Sequence, residues 1–169
     1  MADSFVAILM GSDSDLPVMQ GTMDILNKLQ VKYEVRITSA HRTPEQTREY
    51  VTDAQDRGCA VFVAGAGLAA HLAGAVAATT IRPVIGVPIG GGSLQGMDAL
   101  LSTVQMPSGI PVATVAIGST GAKNAGYLAA QIIGLTDPDL SERVREERLL
   151  SAEGVMEKNR QLQESLATQ

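Results

Sequence analysis

Short apolar segments alternate with longer amphipathic segments along most of this chain. Continuous apolar runs such as "AVFVA" and "PVIGV" are typical of strands that are buried on both faces of a parallel sheet. The pattern predicts five strands, at Phe5–Met10, Tyr33–Ile37, Ala60–Ala64, Pro83–Val87 and Val112–Ile117. It predicts five helices after them, near Leu16–Leu29, Pro44–Asp56, Ala69–Thr79, Leu94–Thr103 and Gly121–Leu135. Five successive β-α units predict an α/β fold, a doubly wound parallel sheet with helices on both faces.

The last part of the chain, residues 137–169, differs from the rest because it is rich in charge and its apolar residues are irregularly spaced. The segment "TDPDLSER" predicts a helix start, since acidic residues follow a turn. We expect one domain, divided into an α/β core at 1–136 and a C-terminal helical extension at 137–169. This extension would cover its own domain or pack on a neighbouring subunit, and the residues alone leave both interpretations open.

Composition narrows the class of protein. The formal charge of −5 at pH 7 argues against broad nucleic-acid binding, which needs a basic surface. No stretch approaches the length of a membrane span, and the apolar run at Phe5–Met10 is too short for a signal peptide, so we expect a cytoplasmic protein. The single cysteine, Cys59, has no partner for an internal disulfide and is expected to be buried. No cluster of residues suggests a metal site.

The loops that follow the predicted strands are where a ligand should bind, because open parallel sheets bind ligands beyond the carboxyl ends of their strands. These loops read "GSDSD", "TSAHRTP", "GAGLAAHLAG", "PIGGGSLQG" and "GSTGAKNAG". The chain has two histidines, and both lie in this set, His41 in the second loop and His71 in the third. An imidazole in such a loop is suited to proton transfer, because its pKa ordinarily lies near the working pH.

The first and last of these loops are candidates for anion binding. In "GSDSD" the small residues and the following helix N-terminus would cradle a phosphate, and Asp15 would accept hydrogen bonds from ribose hydroxyls. The alternative is that Ser14 or Asp15 only caps the helix. In "GSTGAKNAG", Lys123 and Asn124 would touch an anion or, as we favour, remain solvated in a first helical turn. "GAGLAA" is only a weak match to the dinucleotide fingerprint, because it follows the third strand.

Taken together, the motifs resemble the PurE family of purine biosynthesis. The matching segments are "MGSDSD", "SAHRTP", "AGAGLAAHLAG", "GVPI", "VQMPSGIPVATVAIG" and "NAGYLAAQI", in order from Val6 to Ile133. The resemblance implies a three-layer α/β/α sandwich and a homo-octamer with active sites between subunits, in which the C-terminal helix reaches a neighbour. It implies an isomerase that converts N5-carboxyaminoimidazole ribonucleotide into its C4-carboxylated isomer, without metal or cofactor.

The resemblance also implies roles for individual residues. His41 would be the general acid and base, and Ser12, Asp15 and Arg42 would bind the phosphate and ribose. The other expected substrate-binding residues are small or lie in the glycine-rich loop: Gly11, Ser39, Ala40, Ala66, Gly67, His71 and Leu72. His71 is the competing candidate for the proton transfer.

Three rival functions stay open. The first is a second class of the family, the AIR carboxylases, which use CO2 directly. That class typically carries lysine at the position of Arg42 and a "GRSN"-like segment in place of "GAGLAAH". This chain resembles the mutase class at both positions. A flavodoxin-like nucleotide-binding module would use the same sheet edge, and a non-enzymatic scaffold would explain the long helix. The chain departs from the usual mutase pattern at Ala73, in "HLAG", and at Gly90–Gly92, and both changes affect loop mobility rather than reactive groups.

Overall fold

A computed structural model describes residues 4–167 of the chain, so the first three residues and the last two of the predicted extension lie outside the described residues. The strands of this part are β1 (Phe5–Met10), β2 (Tyr33–Ile37), β3 (Cys59–Gly67), β4 (Val84–Ile89) and β5 (Ala113–Thr114). The helices are α1 (Leu16–Lys28), α2 (Pro44–Asp56), α3 (Leu72–Ala77), α4 (Met97–Val104), α5 (Ser119–Gly134) and α6 (Pro138–Ala167). A short 3-10 turn, Asp13–Asp15, precedes α1.

The five strands form one parallel sheet in the order β2-β1-β3-β4-β5. All residues of β1 and β4 are buried, as the continuous apolar runs predict. Alternate residues of β1 face opposite sides of the sheet. Ile8 packs in the core beneath α1 and α5, whereas Leu9 packs in the core on the side of α2 and α3. The predicted α/β/α sandwich is therefore confirmed.

Several element boundaries differ from the predicted ones. Strand β3 continues to Gly67 instead of ending at Ala64, because its small last residues pair with β4. Helix α3 is shorter than predicted at both ends, and α4 begins at Met97 rather than Leu94 because a turn at residues 92–96 precedes it. Strand β5 has two residues instead of six. The predicted last residues of the strand reach β4 only by isolated bonds, such as that from the Val115 N–H to the Gly86 carbonyl.

Helix α6 begins where the sequence predicts, because the Asp137 carboxylate accepts the N–H of Leu140 at 3.0 Å. Its first third is held by Glu147, which bonds Lys28 Nζ at 2.6 Å and the Tyr127 hydroxyl at 3.0 Å. Every residue from position 148 to 167 is exposed. About 30 Å of helix therefore extends away from the core of its own subunit.

Cys59 is buried, as predicted, and burial raises the pKa of its thiol to about 11. The group thus stays protonated near neutral pH and is a poor nucleophile. Among residues 4–167, no helix combines the length and apolar character that crossing a bilayer requires. The same residues contain no group of three or more His, Cys, Asp or Glu side chains that could hold a metal ion.

Candidate active site

The loops at the carboxyl ends of β1, β2, β3 and β4 enclose a cleft of about 650 Å³. The residues that the family resemblance assigns to proton transfer and substrate binding all line this cleft. They are Gly11, Ser12 and Asp15 after β1, Ser39, Ala40, His41 and Arg42 after β2, and Ala66, Gly67, His71 and Leu72 at the end of β3 and the start of α3. A sheet with parallel strands brings these loops to one edge, although they are far apart in the chain.

The first loop is held by a reciprocal pair of hydrogen bonds. The Ser12 hydroxyl accepts the N–H of Ser14 at 3.3 Å, and the Asp15 carboxylate accepts the N–H of Ser12 at 3.0 Å. The alternative prediction was that Ser14 or Asp15 only caps the helix, and Asp15 does occupy the N-cap position of α1, although without a side-chain cap bond. The side chain that caps the 3-10 turn is that of Ser12. The reason is the 3-10 turn, which begins one residue after Ser12 and places its hydroxyl over the first free N–H groups.

Asp15 is the buried carboxylate of the cleft, with 9 % of its surface exposed. Burial raises its pKa above the ordinary value, and the repulsion of Asp13 adds to this. Hydrogen bonds from the backbone N–H groups of Ser12 and Gly11 oppose the rise. A carboxylate in this position can accept hydrogen bonds from hydroxyl groups of a ligand at the floor of the cleft.

The second loop is a turn that three threonines hold in place. The Thr43 hydroxyl accepts the N–H of Ser39 at 2.9 Å and donates to the Ser39 carbonyl at 3.2 Å. Behind it, the hydroxyls of Thr38 and Thr47 lie 2.6 Å apart in a buried contact. These bonds fix the backbone on both sides of His41. The threonines were not predicted as supports of the turn, although the spacing in "TSAHRTPEQT" places them around it.

The two histidines contact each other. His41 Nε2 lies 2.6 Å from His71 Nδ1, and the rings meet edge to face with centroids 4.8 Å apart. One of these nitrogens must donate and the other must accept, so the tautomer of each ring depends on the other. The contact crosses the end of β1, because β1 lies between β2 and β3 in the sheet. The two imidazoles therefore act as one hydrogen-bonded pair at the wall of the cleft.

Arg42 lies over the first loop. Its Nη2 donates to the Gly11 carbonyl at 3.1 Å, and its Nε lies 3.5 Å from the Ser39 hydroxyl. The side chain is exposed, so most of its donors are available to a ligand. A guanidinium beside the Ser12 and Ser14 hydroxyls and the N-terminal turn of α1 suits a phosphate group.

Some residues of the cleft were not predicted as site residues. They are Ser14, Leu68, Ala69, Ile89 and the three glycines Gly90–Gly92, which belong mainly to the loops after β3 and β4. Lys123, the alternative anion ligand, does not line the cleft; it packs against Gly21 of α1, and its Cγ lies 3.2 Å from the position of a Cβ at that glycine. Asn124, its neighbour, does not line the cleft either.

A larger cleft, of about 790 Å³, lies at the opposite end of the sheet. It is bounded by the segments that precede β4 and β5, and Arg82 is the charged residue of its lining. Size alone would favour it as a ligand site. The smaller cleft is the better candidate because it contains the histidine pair, a buried carboxylate and an arginine in one place.

Comparison with known proteins relates the chain to one family. The family model for AIR carboxylase matches residues 5–153. Proteins named N5-carboxyaminoimidazole ribonucleotide mutase are 51% identical in Thermotoga maritima (94% of this chain, 92% of that protein), 54% in Pyrococcus horikoshii (94% and 89%) and 52% in Bacillus subtilis (93% and 97%). The crystal structure of Treponema denticola PurE superposes with a TM-score of 0.85 at 31% identity, covering 94% of this chain and 98% of that one. The chain belongs to the AIR carboxylase family, whose solved members include PurE.

Proposed function

We propose that the protein converts N5-carboxyaminoimidazole ribonucleotide into 4-carboxy-5-aminoimidazole ribonucleotide in purine biosynthesis. The observation that carries this proposal is that the predicted site residues line one cleft, with His41 and His71 in contact beside Arg42. Relatives that carry the mutase name, at 51–54% identity over more than nine-tenths of the chain, support the same reaction. Arg42 and the "GAGLAAH" segment favour the mutase over direct carboxylation of AIR.

The reaction moves a carboxylate without adding an atom, so it consumes no co-substrate. The bond between the exocyclic nitrogen and the carboxyl carbon breaks, its electron pair stays on nitrogen, and that nitrogen takes up a proton. The released CO2 is attacked by C4 of the ring, which is nucleophilic because the amino group donates electron density into the ring. The proton on C4 then leaves. One proton is taken up and one is released.

His41 is the group that handles these protons. A protonated imidazole gives a proton to the amine, and the neutral ring that remains accepts the proton that leaves C4, so a single ring serves both steps. The hydrogen bond to His71 holds the His41 ring in one orientation and ties its tautomer to that of His71. Ala66 and Gly67 leave the wall beside the pair free of bulky side chains, which gives CO2 room next to the ring.

The loops after β1 and β2 bind the ribose phosphate. Arg42 and the Ser12 hydroxyl contact the phosphate, and Asp15 accepts hydrogen bonds from the ribose. These contacts do not change during the reaction. Their role is therefore to hold the aminoimidazole at a fixed distance from His41.

The test is conversion of N5-carboxyaminoimidazole ribonucleotide by the purified chain, followed by ultraviolet absorbance and mass spectrometry, without ATP or added metal. The expected result is the C4-carboxylated isomer of unchanged mass. A parallel reaction supplies 5-aminoimidazole ribonucleotide and bicarbonate. Faster product formation in that reaction would assign the protein to the direct carboxylases, and no product in either would reject the enzymatic function.

We also propose that α6 packs on neighbouring copies of this chain in a closed homo-octamer. Apolar side chains lie exposed along the part of α6 that leaves its own core: Leu149, Leu150, Val155, Met156, Leu162 and Leu166. A subunit that repeats this contact symmetrically buries these residues and closes the assembly. Light scattering at micromolar concentration should give a mass near eight times 17.7 kDa. A monomer with full activity would contradict this proposal.

The proposed reaction also determines the compartment. The substrate and product are phosphorylated and charged, so they do not cross membranes unaided. An enzyme that acts between them works where purine precursors are made, which is the cytoplasm. The acidic balance of the chain, at −5, gives no reason to expect a nucleic-acid partner.

A further inference from the structure

Leu68 has an unusual backbone conformation for its residue type. Its φ angle is +54°, in the left-handed region that a leucine side chain disfavours. It stands between Gly67 and Ala69, where a glycine would adopt the same backbone without strain. Strained residues that persist in a fold are concentrated at functional sites, so this leucine calls for a functional reason.

The side chain of Leu68 lies in the cleft and remains 56% exposed there. It reaches from the loop after β3 to the loop after β4. The position of a Cβ at Gly92 would be only 2.8 Å from Leu68 Cδ2, so the leucine packs directly on the backbone of that glycine. The contact joins two loops of the cleft, and a larger residue at Gly92 would push the leucine side chain aside.

We propose that Leu68 is a specificity-determining residue that retains CO2 in the cleft by closing the gap between the loops after β3 and β4. This inference rests on the proposed function, in which CO2 is free between the two bond changes. CO2 is small and carries no charge, so Arg42 and the other polar groups hold it weakly. An apolar side chain across the gap slows its escape and limits the entry of water and of dissolved CO2.

The test follows the fate of the carboxyl carbon. Wild-type protein and its variants convert unlabelled N5-carboxyaminoimidazole ribonucleotide in 13C-bicarbonate with carbonic anhydrase, which keeps labelled CO2 at equilibrium. Mass spectrometry of early product measures how much of its carboxylate came from solution. It also measures the 5-aminoimidazole ribonucleotide that escapes after losing CO2.

Leu68→Gly and Leu68→Ala should raise both quantities about tenfold relative to wild type, a factor that corresponds to about 1.4 kcal/mol in the barrier to escape. Leu68→Met keeps an apolar side chain of similar volume and should remain close to wild type. Leu135→Ala, at a leucine that is 85% exposed between α5 and α6, is the matched control and should not change the labelling. Thermal unfolding should show Leu68→Gly to be as stable as wild type or more stable, since the strain is removed.

The outcomes separate the two proposals. Equal labelling in wild type, Leu68→Gly and Leu68→Ala, with normal conversion in all three, would overturn the role of Leu68 and leave the proposed function intact. Full labelling of the wild-type product would also overturn it, because no retention would then exist. If the wild type forms no C4-carboxylated product, the proposed function fails and the role of Leu68 fails with it.

Discussion

Replacing Arg42 by alanine should weaken binding of the nucleotide while leaving the fold intact. The Arg42 guanidinium donates to one backbone carbonyl, that of Gly11, at 3.1 Å, and its side chain is exposed. Water can replace that contact, so the free energy of unfolding should fall by no more than about 0.5–1.5 kcal/mol, the net contribution of one hydrogen bond.

The effect on binding should be larger than the effect on stability. A hydrogen bond between charged groups contributes about 1.5–3 kcal/mol, and Arg42 can give a phosphate a bidentate pair of such bonds. The dissociation constant should therefore rise roughly 10- to 150-fold. Arg42→Lys keeps the charge but not the planar fork, so its loss should lie between those of wild type and alanine.

Calorimetry with two ligands isolates the phosphate contact. 5-Aminoimidazole ribonucleotide carries the phosphate and does not react without CO2, whereas the corresponding nucleoside lacks the phosphate. The alanine variant should lose affinity for the nucleotide and keep its affinity for the nucleoside. Arg36→Ala is the control, since that guanidinium lies on β2 over the Tyr50 ring at 5.1 Å and does not line the cleft. Unchanged nucleotide affinity, or an equal loss for both ligands, would refute the assignment of Arg42 to the phosphate.

Two further predictions concern the histidine pair and the buried carboxylate. His41→Asn should bind nucleotide nearly normally but lose at least ~100-fold in kcat, whereas His71→Asn should mainly change KM and loop geometry; stopped-flow kinetics and calorimetry measure both. Burial raises the pKa of Asp15 in the folded protein. The stability that this carboxyl group contributes is therefore fully present below its pKa in the unfolded chain, and it is lost as the pH rises through its pKa in the folded protein. As the pH rises between these two pKa values, Asp15→Asn should therefore gain stability relative to wild type. Urea unfolding from about pH 3 upward measures this difference. The same variant should bind nucleotide more weakly at neutral pH.

Each of these predictions can fail in a definite way. A His41→Asn enzyme with near-normal turnover, beside an inactive His71→Asn enzyme, would reverse the two roles. A stability difference between wild type and Asp15→Asn that does not vary with pH would show that burial does not disfavour the Asp15 carboxylate. In that case the hydrogen bonds from Ser12 and Gly11 would fully compensate for its desolvation.

The sequence alone determined the class of fold and the edge of the sheet at which the candidate site lies. Continuous apolar runs such as Phe5–Met10 favour strands with both faces covered, and alternation with amphipathic helices then leads to a parallel sheet. Every loop that follows a strand in such a sheet opens at one edge, so the order of the elements already places "GSDSD", "TSAHRTP" and "GAGLAAH" together. The chemistry of those loops, with both histidines and Arg42, was also readable from residue type.

The ends of the elements depended on neighbours that the sequence does not reveal. Strand β3 runs on to Gly67 because β4 offers partners that far, and local preference for glycine and alanine in a strand is too weak to predict it. Strand β5 is short because the chain after Pro111 follows β4 by isolated bonds rather than a continuous ladder. Strand pairing depends on both segments together, so the residues of one segment do not show where its strand ends.

The tertiary structure alone decided which side chains touch. His41 and His71 lie 30 positions apart in the chain and on either side of β1 in the sheet, and only the twist of the strands and the turns after them bring Nε2 and Nδ1 to 2.6 Å. The backbone conformation of Leu68 and its contact with Gly92 were likewise hidden, since a left-handed leucine is locally unfavourable. Local propensities determine helices and strands, so these could be predicted from the sequence. Distances between side chains across a site depend on the sum of all packing contacts, so these had to be observed in the structure.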